Sequence, residues 1–183
     1  MMQETFYGPV AQAIWDKASA VKLLICDVDG VFSDGRIYLG NQGEELKAFH
    51  TRDGFGIKSL LSVGIQVAII TGRKSNLVAQ RMSALGIEHI YQGVDDKQQP
   101  FTELLAKLAL NPSQVAYIGD DVVDLPVMQH VGLSVCVADG HPFVKQQADW
   151  VTHINGGHGA VRELTDLLLL SQDKFHLSHG MSV

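Results

Sequence analysis

The feature that most constrains this chain is a short apolar run that ends in two carboxylates. Residues Leu23–Cys26 are all apolar, and Asp27, Asp29 and Gly30 follow them directly. Such a run is typical of a strand buried in a parallel sheet, whose carboxyl end is where these sheets hold ligands. Two acids at a buried strand end need a positive partner, and a divalent cation such as Mg²⁺ fits them. The plain alternative is a strand that ends in an Asx-Gly turn.

Strand and helix patterns alternate along most of the chain. Further strands are predicted, with helices between them, over residues 65–70, 89–91, 115–118 and 133–137. This rhythm predicts a three-layer α/β sandwich built on a parallel sheet. A length of 183 residues fits one domain over residues 1–183.

Residues 31–49 interrupt the alternation. Strand-like runs over residues 36–39 and 45–49 flank the sequence Gly-Asn-Gln-Gly at residues 40–43, which has the composition of a hairpin turn. We therefore expect a β-hairpin insertion that projects from the sheet. The polar residues 171–183 are expected to form a flexible tail.

Composition excludes several classes of protein. Apolar residues make up 46% of the chain, the mean hydropathy is +0.09, and no apolar run approaches the roughly 20 residues of a membrane span. No signal peptide is visible, and Cys26 and Cys136 lie in apolar runs typical of buried thiols, so we expect a cytoplasmic protein. A net charge of −6 argues against nucleic acid and acidic membranes as partners.

Chemically active side chains also follow other predicted elements. Thr71 ends a strand, Asp120 and Asp121 follow another, and Lys97 begins a helix beyond a fourth strand. Each has a plain alternative: Thr71 as a turn cap, Lys97 as a surface charge and Asp121 as a helix cap. Because parallel strands end at one edge of the sheet, a single site explains these residues together with the two strand-end carboxylates.

Four motifs together resemble those of the haloacid dehalogenase-type phosphohydrolases, in their order. The motifs are Asp27-x-Asp29-Gly30, Thr71-Gly72-Arg73, Lys97, and Gly119-Asp120-Asp121-x-x-Asp124. The resemblance implies a Rossmann-like sheet, with Asp27 as nucleophile and Asp29 as general acid and base. It further implies Mg²⁺ on Asp27, Asp120 and the backbone carbonyl of Asp29.

The resemblance also implies roles for the remaining motif residues. Thr71, Gly72 and Lys97 would bind the phosphoryl group, while Asp121 and Asp124 would brace the site from behind. A rival is the receiver domain of two-component signalling, in which an acidic pair precedes the phosphoacceptor. The order here is reversed, and an intact set of acids argues against a second rival, a non-catalytic relative used for assembly.

Only residues 30–70 lie between Asp29 and Thr71, too few for the cap domain of related enzymes. The hairpin, the run Phe49-His50-Thr51-Arg52-Asp53-Gly54-x-Gly56-Ile57 and the run Gly156-Gly157-His158-Gly159-Ala160-Val161-Arg162-Glu163 resemble a narrower family, the phosphatases of 3-deoxy-D-manno-octulosonate 8-phosphate. That family implies lipopolysaccharide biosynthesis and a homotetramer assembled through the hairpins. An alternative substrate is a nonulosonate (sialic acid) 9-phosphate, whose phosphatases share the uncapped form.

By the same resemblance, the substrate site would contain His50, Thr51, Arg52, Asp53, Gly54, Lys58, Arg73, Arg81 and Lys97. The sequence itself supports part of this set. Arg73 directly follows the Thr71 loop, and Lys58 lies one helical turn after Gly54. For Arg81 spacing gives no support, and the plain alternative for residues 52–54 is a turn with a local ion pair.

Overall fold

The computed structural model describes residues 1–177 of the chain. Its strands are β1 (Met2–Gln3), β2 (Val10–Ala11), β3 (Leu23–Cys26), β4 (Tyr38–Leu39), β5 (Glu45–Leu46), β6 (Gln66–Thr71), β7 (His89–Gln92), β8 (Val115–Gly119), β9 (Leu133–Cys136) and β10 (Trp150–Val151). Its α-helices are α1 (Gln12–Ser19), α2 (Thr51–Ser62), α3 (Asn76–Ala84), α4 (Gln98–Leu108), α5 (Leu125–Met128), α6 (Pro142–Gln147) and α7 (Ala160–Ser171). Short 3₁₀ turns cover Pro112–Gln114, Val122–Asp124 and Phe175–Leu177.

Six strands form the central sheet in the order β10-β9-β8-β3-β6-β7, and every pair of neighbours is parallel. Strand β3 lies in the middle, where Leu23 pairs with Gln66 on one side and Val115 on the other. The three strands that end at Asp27, Thr71 and Asp120, namely β3, β6 and β8, are neighbours near the centre of this sheet. The predicted parallel α/β sheet is confirmed.

Alternate side chains of β3 belong to two different hydrophobic clusters. Leu24 and Cys26 pack with residues of α1, α2, α3 and α7, whereas Leu23 and Ile25 pack with residues of α4, α5 and α6. The period of two sends successive side chains to opposite faces of the sheet. Both faces are therefore covered by helices, which produces the predicted three layers and explains why the strand is apolar throughout.

Helix α2 begins at Thr51, within the run 49–57 that resembles the narrower family. The ring Nδ1 of His50 caps it by accepting the Arg52 N–H. Glycine is a poor helix residue, but a Cβ at Gly56 would overlap Thr165 of α7. Close packing between α2 and α7 thus requires glycine at position 56, although glycine weakens the helical pattern in the sequence.

Residues 31–49 contain a short hairpin in which β4 and β5 pair antiparallel, Tyr38 with Leu46 and Leu39 with Glu45. Each strand is two residues long, shorter than the predicted runs 36–39 and 45–49. The apolar side chains of this hairpin are exposed: Tyr38 at 51%, Leu39 at 74% and Leu46 at 62%.

The region predicted as a loose tail, residues 171–183, is in contact with the fold over its first part. Ser171 ends α7. The Phe175 ring packs against the core, and its centroid lies 4.9 Å from that of the Phe6 ring. The apolar Phe175 explains the difference, and residues 178–183 lie outside the described part. The extent of the domain, residues 1–183, stays a prediction.

None of the described helices has the length and apolar character needed to traverse a lipid bilayer.

Candidate active site

The carboxyl ends of three neighbouring strands open into one cavity. Asp27 follows β3, Thr71 closes β6 and Asp120 follows β8. Eight of the predicted site residues line this cavity: Asp27, Asp29, Thr71, Gly72, Arg73, Lys97, Asp120 and Asp121. Its lining also includes Gly35, Val94, Asp95 and Val123, for which the sequence offered no signal.

A buried lysine links the central carboxylates. The Nζ of Lys97 lies 3.2 Å from Asp27 Oδ1, donates to Asp124 Oδ1 at 2.7 Å and donates to the Tyr117 hydroxyl at 3.2 Å. Burial alone lowers the pKa of Lys97, but Asp27 and Asp124 together raise it above its ordinary value. Lys97 therefore remains a cation inside the site, next to the predicted nucleophile.

Asp124 is fully buried, and both of its oxygens are occupied by protein donors. Its Oδ1 accepts from Lys97 and, at 2.6 Å, from the Tyr117 hydroxyl, while its Oδ2 accepts the N–H groups of Asp120 and Asp121. Asp124 thus fixes both Lys97 and the loop after β8. Tyr117 was missed as a site residue; its one signal is that a tyrosine inside an apolar strand needs a partner for its hydroxyl.

Three carboxylates crowd one end of the cavity. One oxygen each from Asp27, Asp120 and Asp124 lies within 4.8 Å of the others. Burial first, and then the neighbouring carboxylates, raise the pKa of Asp27 to about 6 and that of Asp120 to about 8. This excess of negative charge is the environment that a hard cation with oxygen ligands relieves.

Two glycines allow the loops of the site to approach each other. Gly30 has a φ of +87°, and a Cβ there would overlap the carboxylate of Asp120. A Cβ at Gly156 would overlap the carbonyl oxygen of Gly30, and the Gly157 N–H donates to Val31. The glycine-rich segment before α7 therefore packs against the turn that follows the predicted general acid.

The hairpin contacts the site in a way that the sequence did not indicate. Lys47 Nζ donates to Asp29 Oδ1 at 2.5 Å and lies 3.4 Å from Glu45 Oε1. Arg73 lies 3.5 Å from the other oxygen of Glu45 and 3.8 Å from Asp29 Oδ2. Asp29, the predicted acid and base, therefore belongs to a ring of four charges of alternating sign, with Lys47, Glu45 and Arg73 as the other three.

The loop predicted to bind substrate is instead the first turn of α2. His50 serves as the helix cap, and Thr51 and Arg52 are exposed outside the cavity lining. Gly54 is buried. Asp53 is the clearest correction, because its side chain is fully buried and its Oδ1 accepts the Arg162 N–H at the start of α7. Asp53 therefore does not line the cavity in this chain.

Two other predicted substrate residues lie elsewhere within this chain. Lys58, on α2, borders a separate depression together with Ser83 and Ala84 at the end of α3. Arg81, also on α3, is half-buried and does not line the cavity at the strand ends. A single copy of the chain therefore does not bring either cation to the site.

We expect Asp53→Asn to remove part of the pH dependence of stability. Burial raises the pKa of Asp53 to about 6 in the folded chain, from 3.8. The folded state then binds more protons than the unfolded state between these values, so wild-type stability falls as pH rises from about 4 to 6. Asparagine keeps the acceptor for Arg162 without the charge.

The stability of Asp53→Asn relative to wild type should therefore improve by on the order of 2–3 kcal/mol between pH 4 and pH 7. Urea unfolding at several pH values measures this difference. Asp16→Asn makes the same change at an exposed position of α1 and is the matched control. A relative stability that declines with rising pH would contradict the assignment.

Comparison with known proteins gives the family. Residues 87–164 match the haloacid dehalogenase-like hydrolase family. The 3-deoxy-D-manno-octulosonate 8-phosphate phosphatase KdsC of Yersinia pestis is 58% identical over 98% of this chain and 96% of its own length. KdsC of Escherichia coli K12 is 58% identical over 98% of this chain and 95% of its own.

Solved structures agree with these sequence relatives. The Y. pestis phosphatase structure superposes with a TM-score of 0.98 at 57% identity, covering 100% of this chain and 99% of that one. A Moraxella catarrhalis phosphatase, solved with magnesium, phosphate and KDO, has a TM-score of 0.89 at 42% identity, covering 92% of this chain and 97% of that one. The chain belongs to the 3-deoxy-D-manno-octulosonate 8-phosphate phosphatase family of haloacid dehalogenase-like hydrolases.

Proposed function

We propose that this protein is a Mg²⁺-dependent phosphatase that hydrolyses 3-deoxy-D-manno-octulosonate 8-phosphate to the free sugar acid and phosphate. The observation that carries the proposal is the convergence of Asp27, Asp29, Lys97 and Asp120 in one cavity at the strand ends. The relatives that are 58% identical over nearly the whole chain carry this activity in their names. Membership of a hydrolase family removes the receiver-domain alternative.

The carboxylates present fit a magnesium ion. Asp124 has both oxygens bound to protein donors, so Asp27 and Asp120 are the carboxylates that would hold the ion. The family resemblance adds the backbone carbonyl of Asp29 as a third oxygen. All are hard oxygen donors of the kind that Mg²⁺ prefers. When bound, the ion neutralises charge on the phosphoryl oxygens and on Asp27.

The first chemical step uses Asp27 and Asp29. A carboxylate oxygen of Asp27 attacks phosphorus, the bond from phosphorus to the sugar oxygen breaks, and that oxygen takes a proton from Asp29. Repulsion between a carboxylate and a phosphate dianion 4 Å apart is on the order of 8 kcal/mol at an effective dielectric constant of 20. Lys97, 3.2 Å from Asp27, opposes that repulsion.

The second step returns the enzyme to its starting state. Asp29 accepts a proton from water, the water oxygen attacks the phosphorus of the aspartyl phosphate, and the bond to Asp27 breaks. Thr71 and the backbone at Gly72 line the same cavity and are proposed to bind the phosphoryl oxygens. Arg73 is half exposed at the mouth and is proposed to bind the sugar acid.

Phosphate release from a panel of sugar phosphates tests the function. We expect rapid hydrolysis of the octulosonate 8-phosphate with Mg²⁺ and none with EDTA. Preference for a nonulosonate 9-phosphate would replace the proposed substrate with the alternative. Absence of Mg²⁺-dependent release from every ester, nitrophenyl phosphate included, would overturn the proposed activity.

We further propose a homotetramer assembled through the hairpin, and a cytoplasmic location. The exposed Tyr38, Leu39 and Leu46 support the assembly, because a two-stranded hairpin with apolar side chains in water is marginally stable. A neighbouring copy would also supply groups, such as the cations at positions 58 and 81, that do not reach the cavity within one chain. Buried free thiols support the location.

The double substitution of Leu39 and Leu46 by lysine is expected to dissociate this assembly. Each large side chain buried at an interface contributes on the order of 1.5–3 kcal/mol, and a buried charge reverses that contribution. The KM for the sugar phosphate should rise, because a neighbouring copy no longer encloses it, with less change for a small activated ester. Light scattering and steady-state kinetics measure both effects.

Gln42→Lys, an exposed polar position at the hairpin turn, controls for added charge. A double variant that keeps the wild-type mass in solution would defeat the proposed interface. A monomeric variant with unchanged KM would defeat the proposed enclosure of the substrate.

A further inference from the structure

The carboxylate of Asp29 is held differently from those of Asp27 and Asp124. Asp27 accepts the N–H of Val28, and Asp124 accepts two backbone N–H groups. Within residues 1–177, no backbone N–H donates to the Asp29 carboxylate, whose one hydrogen bond comes from Lys47. The orientation of the proposed acid and base therefore depends on a side chain from the hairpin segment.

Lys47 is itself firmly placed. Its side chain is completely buried, whereas that of Arg73, the other cation near Asp29, is 50% exposed. Its Nζ lies between Asp29 Oδ1 at 2.5 Å and Glu45 Oε1 at 3.4 Å. That Glu45 oxygen is buried without a hydrogen bond, so Lys47 is its compensating charge. A buried lysine between two carboxylates has little rotational freedom.

The two oxygens of Asp29 are consequently unequal. Oδ1 is bound to Lys47, while the nearest cation to Oδ2 is Arg73 at 3.8 Å, beyond hydrogen-bond distance. Fixing one oxygen determines where the other lies. An oxygen without a protein donor is the one able to exchange a proton with a leaving group or a water molecule.

We propose that Lys47 is a positioning residue that orients Asp29 for proton transfer, with Glu45 as its anchor. The inference rests on the proposed phosphatase function and adds to it a role for the hairpin within its own chain. Small displacements of a catalytic group are costly: a shift of about 1 Å reduces rates about 10²-fold. The hairpin therefore completes the active site of the chain to which it belongs, independently of any assembly.

A double-mutant cycle with Asp29 separates this role from a merely structural one. Lys47→Met should lower kcat for the sugar phosphate by about tenfold or more, because Asp29 loses its fixed orientation. The loss on nitrophenyl phosphate should be smaller, because that leaving group needs little protonation. In an Asp29→Asn background the same change should cost less than about twofold, since the group that it positions is gone.

The controls keep the outcome interpretable. Lys22→Met changes an exposed lysine just before β3, at the opposite end of the sheet, and should leave kcat unchanged. Lys47→Arg should restore part of the lost rate. Glu45→Gln removes the anchor and leaves Lys47 and Asp29 in place. It should give a smaller loss of kcat that also disappears in the Asp29→Asn background. This variant tests the proposal even if the Lys47→Met protein folds poorly.

The cycle also distinguishes the two proposals. A wild-type protein without phosphatase activity would defeat the proposed function. An active wild-type protein in which Lys47→Met has no effect on kcat, or the same fractional effect with and without Asp29, would defeat the positioning role alone.

Discussion

Asp27→Asn is expected to abolish turnover while the fold persists. The amide has neither the negative charge nor the nucleophilicity to attack phosphorus, so no aspartyl phosphate forms and kcat should fall by at least about 10⁴-fold. The fold should tolerate the change, since Asn can still accept the Val28 N–H and Lys97 keeps its ion pair with Asp124. Removing one of three crowded carboxylates also relieves repulsion.

Phosphate release, thermal unfolding and mass spectrometry after mixing with substrate measure this result. Wild type should gain the mass of one phosphoryl group transiently, and the variant should not. Asp16→Asn, remote on α1, should behave as wild type in every assay. Turnover of the Asp27→Asn variant within tenfold of wild type would be incompatible with a covalent mechanism.

The framework of the site was predictable because it depends on short-range rules. An apolar strand that ends in acids, repeated along the chain, brings Asp27, Thr71 and Asp120 to one edge of a parallel sheet. Lys97 follows from the same logic, one strand further on. These positions could be predicted from strand periodicity and the parallel arrangement alone, because the fully apolar runs indicate both.

The remaining features depend on how distant segments pack, and periodicity carries no information about that. Lys47 and Glu45 looked like hairpin residues, and nothing in their spacing shows that the hairpin returns to Asp29. Asp53 resembled part of a turn because glycine follows it. Its actual role, capping α7 from α2, requires two helices far apart in the sequence to touch.

Lys97→Met should have large effects on both activity and stability. Lys97 is the cation in contact with both Asp27 and Asp124, and methionine keeps much of its volume without its charge. The buried carboxylates would then lack compensation, and removing one partner from a buried ion pair costs about 3–5 kcal/mol. Rates should fall by about 10²–10³-fold or more, the range for losing one stabilising group near a developing charge.

Lys97 and a bound Mg²⁺ both supply positive charge to the same carboxylates, so the effect of losing one on stability should depend on the other. Without Lys97 the pKa of Asp27 should rise further above about 6, so the destabilisation should grow as pH increases through that region. Mg²⁺ held by Asp27 and Asp120 supplies positive charge to the same cluster, so it should raise the unfolding temperature of Lys97→Met more than that of wild type. Thermal unfolding in EDTA and in Mg²⁺, at pH 5 and pH 8, measures both effects. Lys107→Met, exposed on α4, the helix that directly follows Lys97, is the matched control. Equal stabilisation of wild type and Lys97→Met by Mg²⁺ would mean that the lysine and the metal do not compensate the same carboxylates.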